Sequence, residues 1–129
     1  MTTQGVAFFN ARDQLPMWDG AACVGTDVNA WFPDSEEDNQ REVAILSEMC
    51  VGCPIQAKCL QWALGHEAYG VWGGLTAMER WSLGGLRPVN VRDTRDQIRT
   101  QLLRRWVMVG GNLARLQSVV NEWKLRDRL

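Results

Sequence analysis

The chain has one histidine, His66, and one tyrosine. A Ser/His/Asp set would have to use that histidine, and nothing around it completes one; His66 is expected as a satisfied helix-end residue. There is no glycine-rich phosphate-binding loop. No apolar run approaches the roughly 18 residues that cross a bilayer, so no membrane role is expected. The N-terminus, Met1-Thr2-Thr3-Gln4-Gly5-Val6, lacks a basic stretch followed by an apolar one. A secretory leader is therefore not expected, and the expected compartment is the cytoplasm. Cysteine does not occur after residue 59.

What is present is a set of four cysteines in the first half: Cys23, then after 26 intervening residues Cys50, Cys53 and Cys59 as C-x2-C-x5-C. One thiolate from a distant segment and three from a compact one can wrap a tetrahedral centre, either a structural zinc or an iron–sulfur cluster. In a reducing compartment four metal ligands are the better reading than a disulfide-stapled secreted domain. Zinc sites more often show two C-x2-C pairs; one pair with two unequal singletons is closer to cluster ligation. The aromatic and aliphatic residues Trp31, Phe32, Trp62 and Trp72 would exclude water from it. Cys50 and Cys53 form a dithiol spacing, but no βαβ pattern flanks it as in thiol–disulfide oxidoreductases.

At 129 residues the chain is one domain, or a small domain with an appendage, and a metal centre adds useful stability. The 46% hydrophobic content excludes a wholly disordered chain. The net charge of −1 hides an asymmetry. Residues 1–79 hold three basic and eleven acidic residues, a net of −8; residues 80–129 hold eleven basic and four acidic, a net of +7. A basic segment on an acidic one is a footprint of polyanion contact, most simply a nucleic acid backbone.

Residues 1–20 read as irregular. Ser35-Glu36-Glu37-Asp38 resembles a capping box and predicts a helix over 36–49, with Val43, Leu46 and Cys50 inward. Val51-Gly52 breaks it, and Cys53-Pro54 opens a second helix stopped near Gly65. Gly70-Val71-Trp72-Gly73-Gly74 predicts a tight turn or short hairpin. Thr76-Ala77-Met78-Glu79 is a capping box for a short helix ended by Gly84-Gly85. A boundary is expected near Leu86 to Val91, dividing residues 1–87 from 88–129. Beyond it two helices are predicted. Residues 93–109 carry Ile98, Leu102, Leu103, Trp106 and Val109 on one side, and residues 112–128 carry Leu113, Leu116, Val120 and Trp123.

Four cysteines in this spacing, Trp31-Phe32-Pro33 after the first, and Gly-Val-Trp-Gly-Gly followed by Leu-Thr-x-x-Glu-Arg resemble the WhiB-like (Wbl) proteins of actinobacteria and their phages, over about residues 17–87. The resemblance implies a small all-α domain around a [4Fe–4S] cluster held by Cys23, Cys50, Cys53 and Cys59 and reactive with oxygen and nitric oxide. It implies a transcription factor, not an enzyme, although the apo form is associated with weak disulfide reductase activity. It implies docking on region four of the primary sigma factor of RNA polymerase through Trp31, Phe32, Pro33 and Gly70, Val71, Trp72, Gly73, Gly74. It also implies promoter contact by a basic C-terminal segment, here Arg92, Arg95, Arg99, Arg104, Arg105, Arg115, Lys124, Arg126 and Arg128. This chain departs from the family in having two amphipathic helices there rather than a short basic tail. They read either as a helix-turn-helix-like DNA reader or as a homodimerising hairpin using Trp106, Leu113, Leu116 and Trp123. The rival readings are a tetrathiolate zinc adaptor and an apo-form thiol–disulfide reductase.

Overall fold

The computed structural model describes residues 20–127, with side chains through 126. The stretch expected to be irregular, 1–20, lies outside them but for its last residue, and so does Arg128. A 3-10 turn, Val28–Trp31, precedes five α-helices: α1 Gln40–Val51, α2 Gln56–His66, α3 Ala77–Ser82, α4 Arg95–Met108 and α5 Leu113–Asp127. Among the described residues there is no strand, only a lone antiparallel bridge between Trp72 and Leu75. The domain is all-α.

α1 starts four residues later than its acidic first turn predicts. Ser35 does cap locally, its Oγ accepting from the Asp38 N–H at 3.2 Å. Glu36, however, is drawn to another helix: its Oε2 accepts from the Met78 N–H at the start of α3. An orphan amide at a helix N-terminus is a better partner for this carboxylate than solvent, and the chain turns there instead of coiling. Burial still pushes the Glu36 carboxyl above its ordinary value, opposed by the Thr76 and Met78 hydrogen bonds. α3 opens as its sequence predicts, with Thr76 Oγ1 accepting from the Glu79 N–H and Glu79 Oε1 from the Thr76 N–H. α4 opens on a second such box, Thr94 with Gln97.

Two apolar clusters share the interior. One joins Trp31, Val43, Leu46, Cys50 and Val71. The other joins Leu60, Leu64 and Leu75 to Leu102 and Trp106 of α4 and Leu116, Val119 and Val120 of α5. Residues 87 and 88 lie in the connection between α3 and α4, across which α4 packs against α3 and α5 against α2. Leu60, Leu75 and Leu102 are completely buried. Each such side chain contributes about 1.5–3 kcal/mol on leaving water. The inward stripe of α4 is narrower than predicted: Ile98, Leu102 and Trp106 are buried, but Leu103 faces out. Trp106 and Leu116, two of the four residues considered for a dimer interface, are buried inside this chain instead.

Candidate metal centre

The four thiols come from three places that the fold draws together. Cys23 lies in a turn closed by Thr26, whose N–H and Oγ1 both donate to the Cys23 carbonyl at 3.0 and 2.6 Å. Thr26 is itself fixed by the Trp31 indole N–H at 2.9 Å. Cys50 ends α1, and the Cys53 N–H returns to the Cys50 carbonyl at 3.0 Å, aiming the pair to one side. Cys59 sits on α2, one turn after Ile55, whose carbonyl accepts its N–H at 2.9 Å. The Ala22 N–H lies 3.4 Å from Cys53 Sγ and ties the Cys23 turn to the second thiol segment. All four are free thiols, with Cys23 exposed, Cys50 buried and the others between.

Their electrostatics mark them as one group. Burial pushes the Cys50 thiol up to about 12, and the neighbouring Cys59, Cys53 and Cys23 add to it. Burial also pushes Cys59 up to about 12, with Cys23 and Cys53 raising it further. Four thiolates gathered in a poorly solvated place repel one another, and a bound cationic centre reverses that balance. Two backbone amides already point the other way: the Gly74 N–H donates to the Cys50 sulfur and the Gly73 N–H to the Cys59 sulfur. Among the described residues, no three His, Cys, Asp or Glu side chains converge on a point that a single metal ion would fill.

The two amides come from the glycine turn, whose shape requires glycine. Gly73 has a φ of +61° and a Cβ there would lie 2.7 Å from Leu60 Cβ and 2.9 Å from Leu60 Cα. Gly74, at φ +88°, would place its Cβ 3.1 Å from that of Cys50. The turn is hung on the arginine of the Leu-Thr-x-x-Glu-Arg stretch, to which the sequence alone assigned no role. Arg80 is fully buried, and its guanidinium donates to the carbonyls of Gly70, Leu75, Tyr69 and Glu67 at 2.7, 2.8, 2.9 and 3.2 Å. Burial lowers its pKa to about 10, with Glu36, Glu67, Cys59 and Glu79 resisting, so it stays charged at neutral pH. The available signal was its place after the capping Glu79 in a helix too short to need an arginine on its surface.

The residues assigned to a docking face divide into framework and surface. Trp31, Val71, Gly73 and Gly74 are buried, and the Val71 N–H donates to the Trp31 carbonyl at 2.7 Å. Phe32 is exposed and meets the half-buried Trp72 edge to face, ring centres 6.4 Å apart. The Trp72 indole donates to the Tyr69 carbonyl at 3.0 Å. Pro33 is half-buried and, with Ala30, Ile45 and Leu46, lines an open apolar groove beside Phe32. His66 stacks on Trp62, as a helix-end residue with its hydrogen bond made to the Trp62 carbonyl.

Of the basic residues, Arg92, Arg95, Arg99, Arg104, Arg115, Lys124 and Arg126 are exposed. Arg95 lies over the Trp81 ring at 4.9 Å, Arg99 pairs with Asp96, and Arg126 pairs with Glu122 at 3.7 Å. Arg105 differs from the expectation of a surface contact. It turns inward to bond both carboxylate oxygens of Glu79, the Ser47 hydroxyl and the Gly74 carbonyl. An arginine with only 18% of its side chain exposed and its fork filled has little left to offer a phosphate.

Residues 18–83, which hold all four cysteines, the glycine turn and α3, match the family model described as transcription factor WhiB. The chain belongs to the WhiB transcription factor family. Its relatives include the transcriptional regulator WhiB2 of Mycobacterium tuberculosis, 41% identical over 63 residues, 48% of this chain and 66% of that protein. The alignment thus spans just under two thirds of that relative. WhiD of Streptomyces coelicolor is 43% identical over 76 residues, 54% of this chain and 68% of its own length. The redox-responsive transcriptional regulator WhiB3 of Mycolicibacterium smegmatis is 42% identical over 80 residues, 52% and 82% of the two chains. No solved structure matches. The WhiB match ends before α4, so the hairpin lies outside it.

Proposed function

We propose that this WhiB-family chain is a cytoplasmic transcriptional regulator that holds a [4Fe–4S] cluster, docks on region four of the primary sigma factor, and touches promoter DNA with its C-terminal hairpin. One observation carries the proposal: four free thiols, one buried, two half-buried and one exposed, gather beside a glycine turn that presents Trp72 beside Phe32. The donor set suits iron–sulfur ligation. Bound there, a [4Fe–4S] cluster supplies iron that reacts with oxygen and nitric oxide.

The chain's own residues do the rest. Cys50 and Cys59 provide inner ligands, and the Gly74 and Gly73 amides steady their sulfurs. Cys23 and Cys53 close the outer side, so ligation ties the Cys23 turn to α1 and α2. Phe32 and Trp72 form the apolar anchor of the docking face, with Pro33 and Gly70 at its edge. Large aromatic side chains on a fixed turn are the residue types that dominate interfaces. Arg92, Arg95, Arg99, Arg104, Arg115, Lys124 and Arg126 supply the phosphate-facing charge, joined by Arg128 from outside the described residues. Arg105 is withdrawn from that set.

Co-purification with sigma region four tests the docking face. Trp72→Ala should keep the visible absorbance of the loaded protein and lose the partner; undiminished co-purification rejects the assignment. Arg104→Ala with Arg115→Ala should flatten the salt dependence of DNA binding by about 1.8 in log–log slope, at about 0.9 per phosphate contact. An unchanged slope removes the hairpin from the DNA interface.

A further inference from the structure

The hairpin helix α4 reaches the thiol site through one side chain. Arg105 Nη2 donates to the Gly74 carbonyl at 3.1 Å. The same peptide's N–H, on Leu75, donates to the Trp72 carbonyl at 3.1 Å. The next peptide's N–H, on Gly73, donates to the Cys59 sulfur. A guanidinium is thus linked to a ligand sulfur through two peptide units aligned donor to acceptor. A parallel arm runs from Gln56 Nε2 to the Gly73 carbonyl at 2.8 Å, whose peptide N–H, on Gly74, donates to Cys50. Hydrogen bonds in such a chain polarise one another by about 10–30% per bond. Arg105 also holds the Ser47 hydroxyl, which donates to the same Gly74 carbonyl at 2.6 Å. Glu79 screens the bare charge, so the influence on sulfur passes through the oriented peptides.

We propose that Arg105 is a positioning residue that couples the C-terminal hairpin to the four-cysteine site, so that the state of the site is read out as docking of α4 and α5. The proposal rests on the cluster reading given above for its redox consequence. When thiolate charge is held at the site, the Gly73 and Gly74 amides are fixed, the Gly74 carbonyl stays aimed at Arg105, and α4 is clamped. When the site is emptied the Cys50 and Cys59 thiols take up protons and accept more weakly from the turn, and the clamp loosens. Coupling is reciprocal, so the hairpin in turn favours the more negatively charged state of the site. Because α4 and α5 carry most of the exposed arginines, their docking sets where the basic surface lies.

Two measurements on the full chain decide it. The first is amide exchange in loaded and chelator-stripped wild-type protein. Protection in α4 and α5 should fall on stripping, while α4 and α5 of Arg105→Gln should exchange at the same raised rate in both forms. The second is the reduction potential of the loaded protein, in which the site takes one electron from the titrant. Donors and positive charge directed at ligand sulfurs favour the reduced state. Arg105→Gln should therefore shift the potential to more negative values, and Arg105→Lys, which keeps charge but not the fork, should recover part of the shift. Equal hairpin protection in loaded and stripped wild type overturns the coupling, and that comparison stands even where Arg105→Gln does not fold. Equal potentials in wild type and a folded Arg105→Gln also overturn the proposal. If wild-type protein carries zinc, the cluster reading fails separately, and the exchange comparison on zinc-loaded and stripped protein still decides the coupling.

Discussion

Replacing Arg80 with methionine removes the support of the glycine turn while keeping its aliphatic stem. Arg80 makes four hydrogen bonds to backbone carbonyls within residues 67–75. Hydrogen bonds to a charged donor contribute about 1.5–3 kcal/mol each, a gross figure of about 6–12 kcal/mol. Against this stands the cost of burying a guanidinium, several kcal/mol in proteins. The remainder, about 3–5 kcal/mol, is the usual cost of removing one member of a buried charged set. That is a large share of a small domain's total stability. Denaturant unfolding followed by tryptophan fluorescence, with wild type and variant in the same loading state, measures it. Amide exchange at Val71, whose N–H bonds the Trp31 carbonyl, and at Leu75, whose N–H bonds the Trp72 carbonyl, locates it. Arg80→Met should lower stability by about 4 kcal/mol and deprotect those amides first. A loss below about 1 kcal/mol would refute the claim that Arg80 holds the turn.

Three further outcomes follow from the same geometry. Gly73→Ala drives a methyl group into the Leu60 backbone at a positive φ, and should cost about 2–5 kcal/mol from strain and overlap together, with loss of iron retention; calorimetry and iron analysis check both. Trp106→Ala empties a site shared by the glycine turn and the hairpin, and should cost about 3–5 kcal/mol in a single unfolding transition; a separate early transition of the hairpin would contradict one continuous core. In stripped protein, burial raises the Cys50 thiol from its ordinary 9.0 to about 12. Because the folded chain holds that proton more tightly, the contribution is fully present below pH 9 and lost as pH rises toward about 12. Cys50→Ala should show a shallower decline over that range.

The sequence spoke most clearly where function and local geometry share one short stretch. C-x2-C-x5-C, Thr76 with Glu79, and the breaks at Val51-Gly52 and Gly110-Gly111 are all local, and the helices formed near their predicted places. Thr94 with Gln97 was equally legible as a capping box and places the start of α4 two residues after Asp93. The surprises are tertiary. Glu36 looked like a first-turn acid, yet its partner is 42 residues away. Arg105 looked like any arginine on a basic helix, yet its partners Ser47 and Glu79 lie 58 and 26 residues away. Trp31 and Phe32 are adjacent and similarly apolar; the 3-10 turn sends one into the core and the other to the surface. Whether the hairpin stood apart was not readable either, because an amphipathic stripe does not say which apolar surface it will cover.

The central claim concerns what the four thiols hold, and anaerobic purification with iron, sulfide and zinc analysis beside the visible spectrum tests it most directly. The account predicts brown protein with about four irons and four sulfides per chain. Colourless protein carrying one zinc per chain and no sulfide would contradict it.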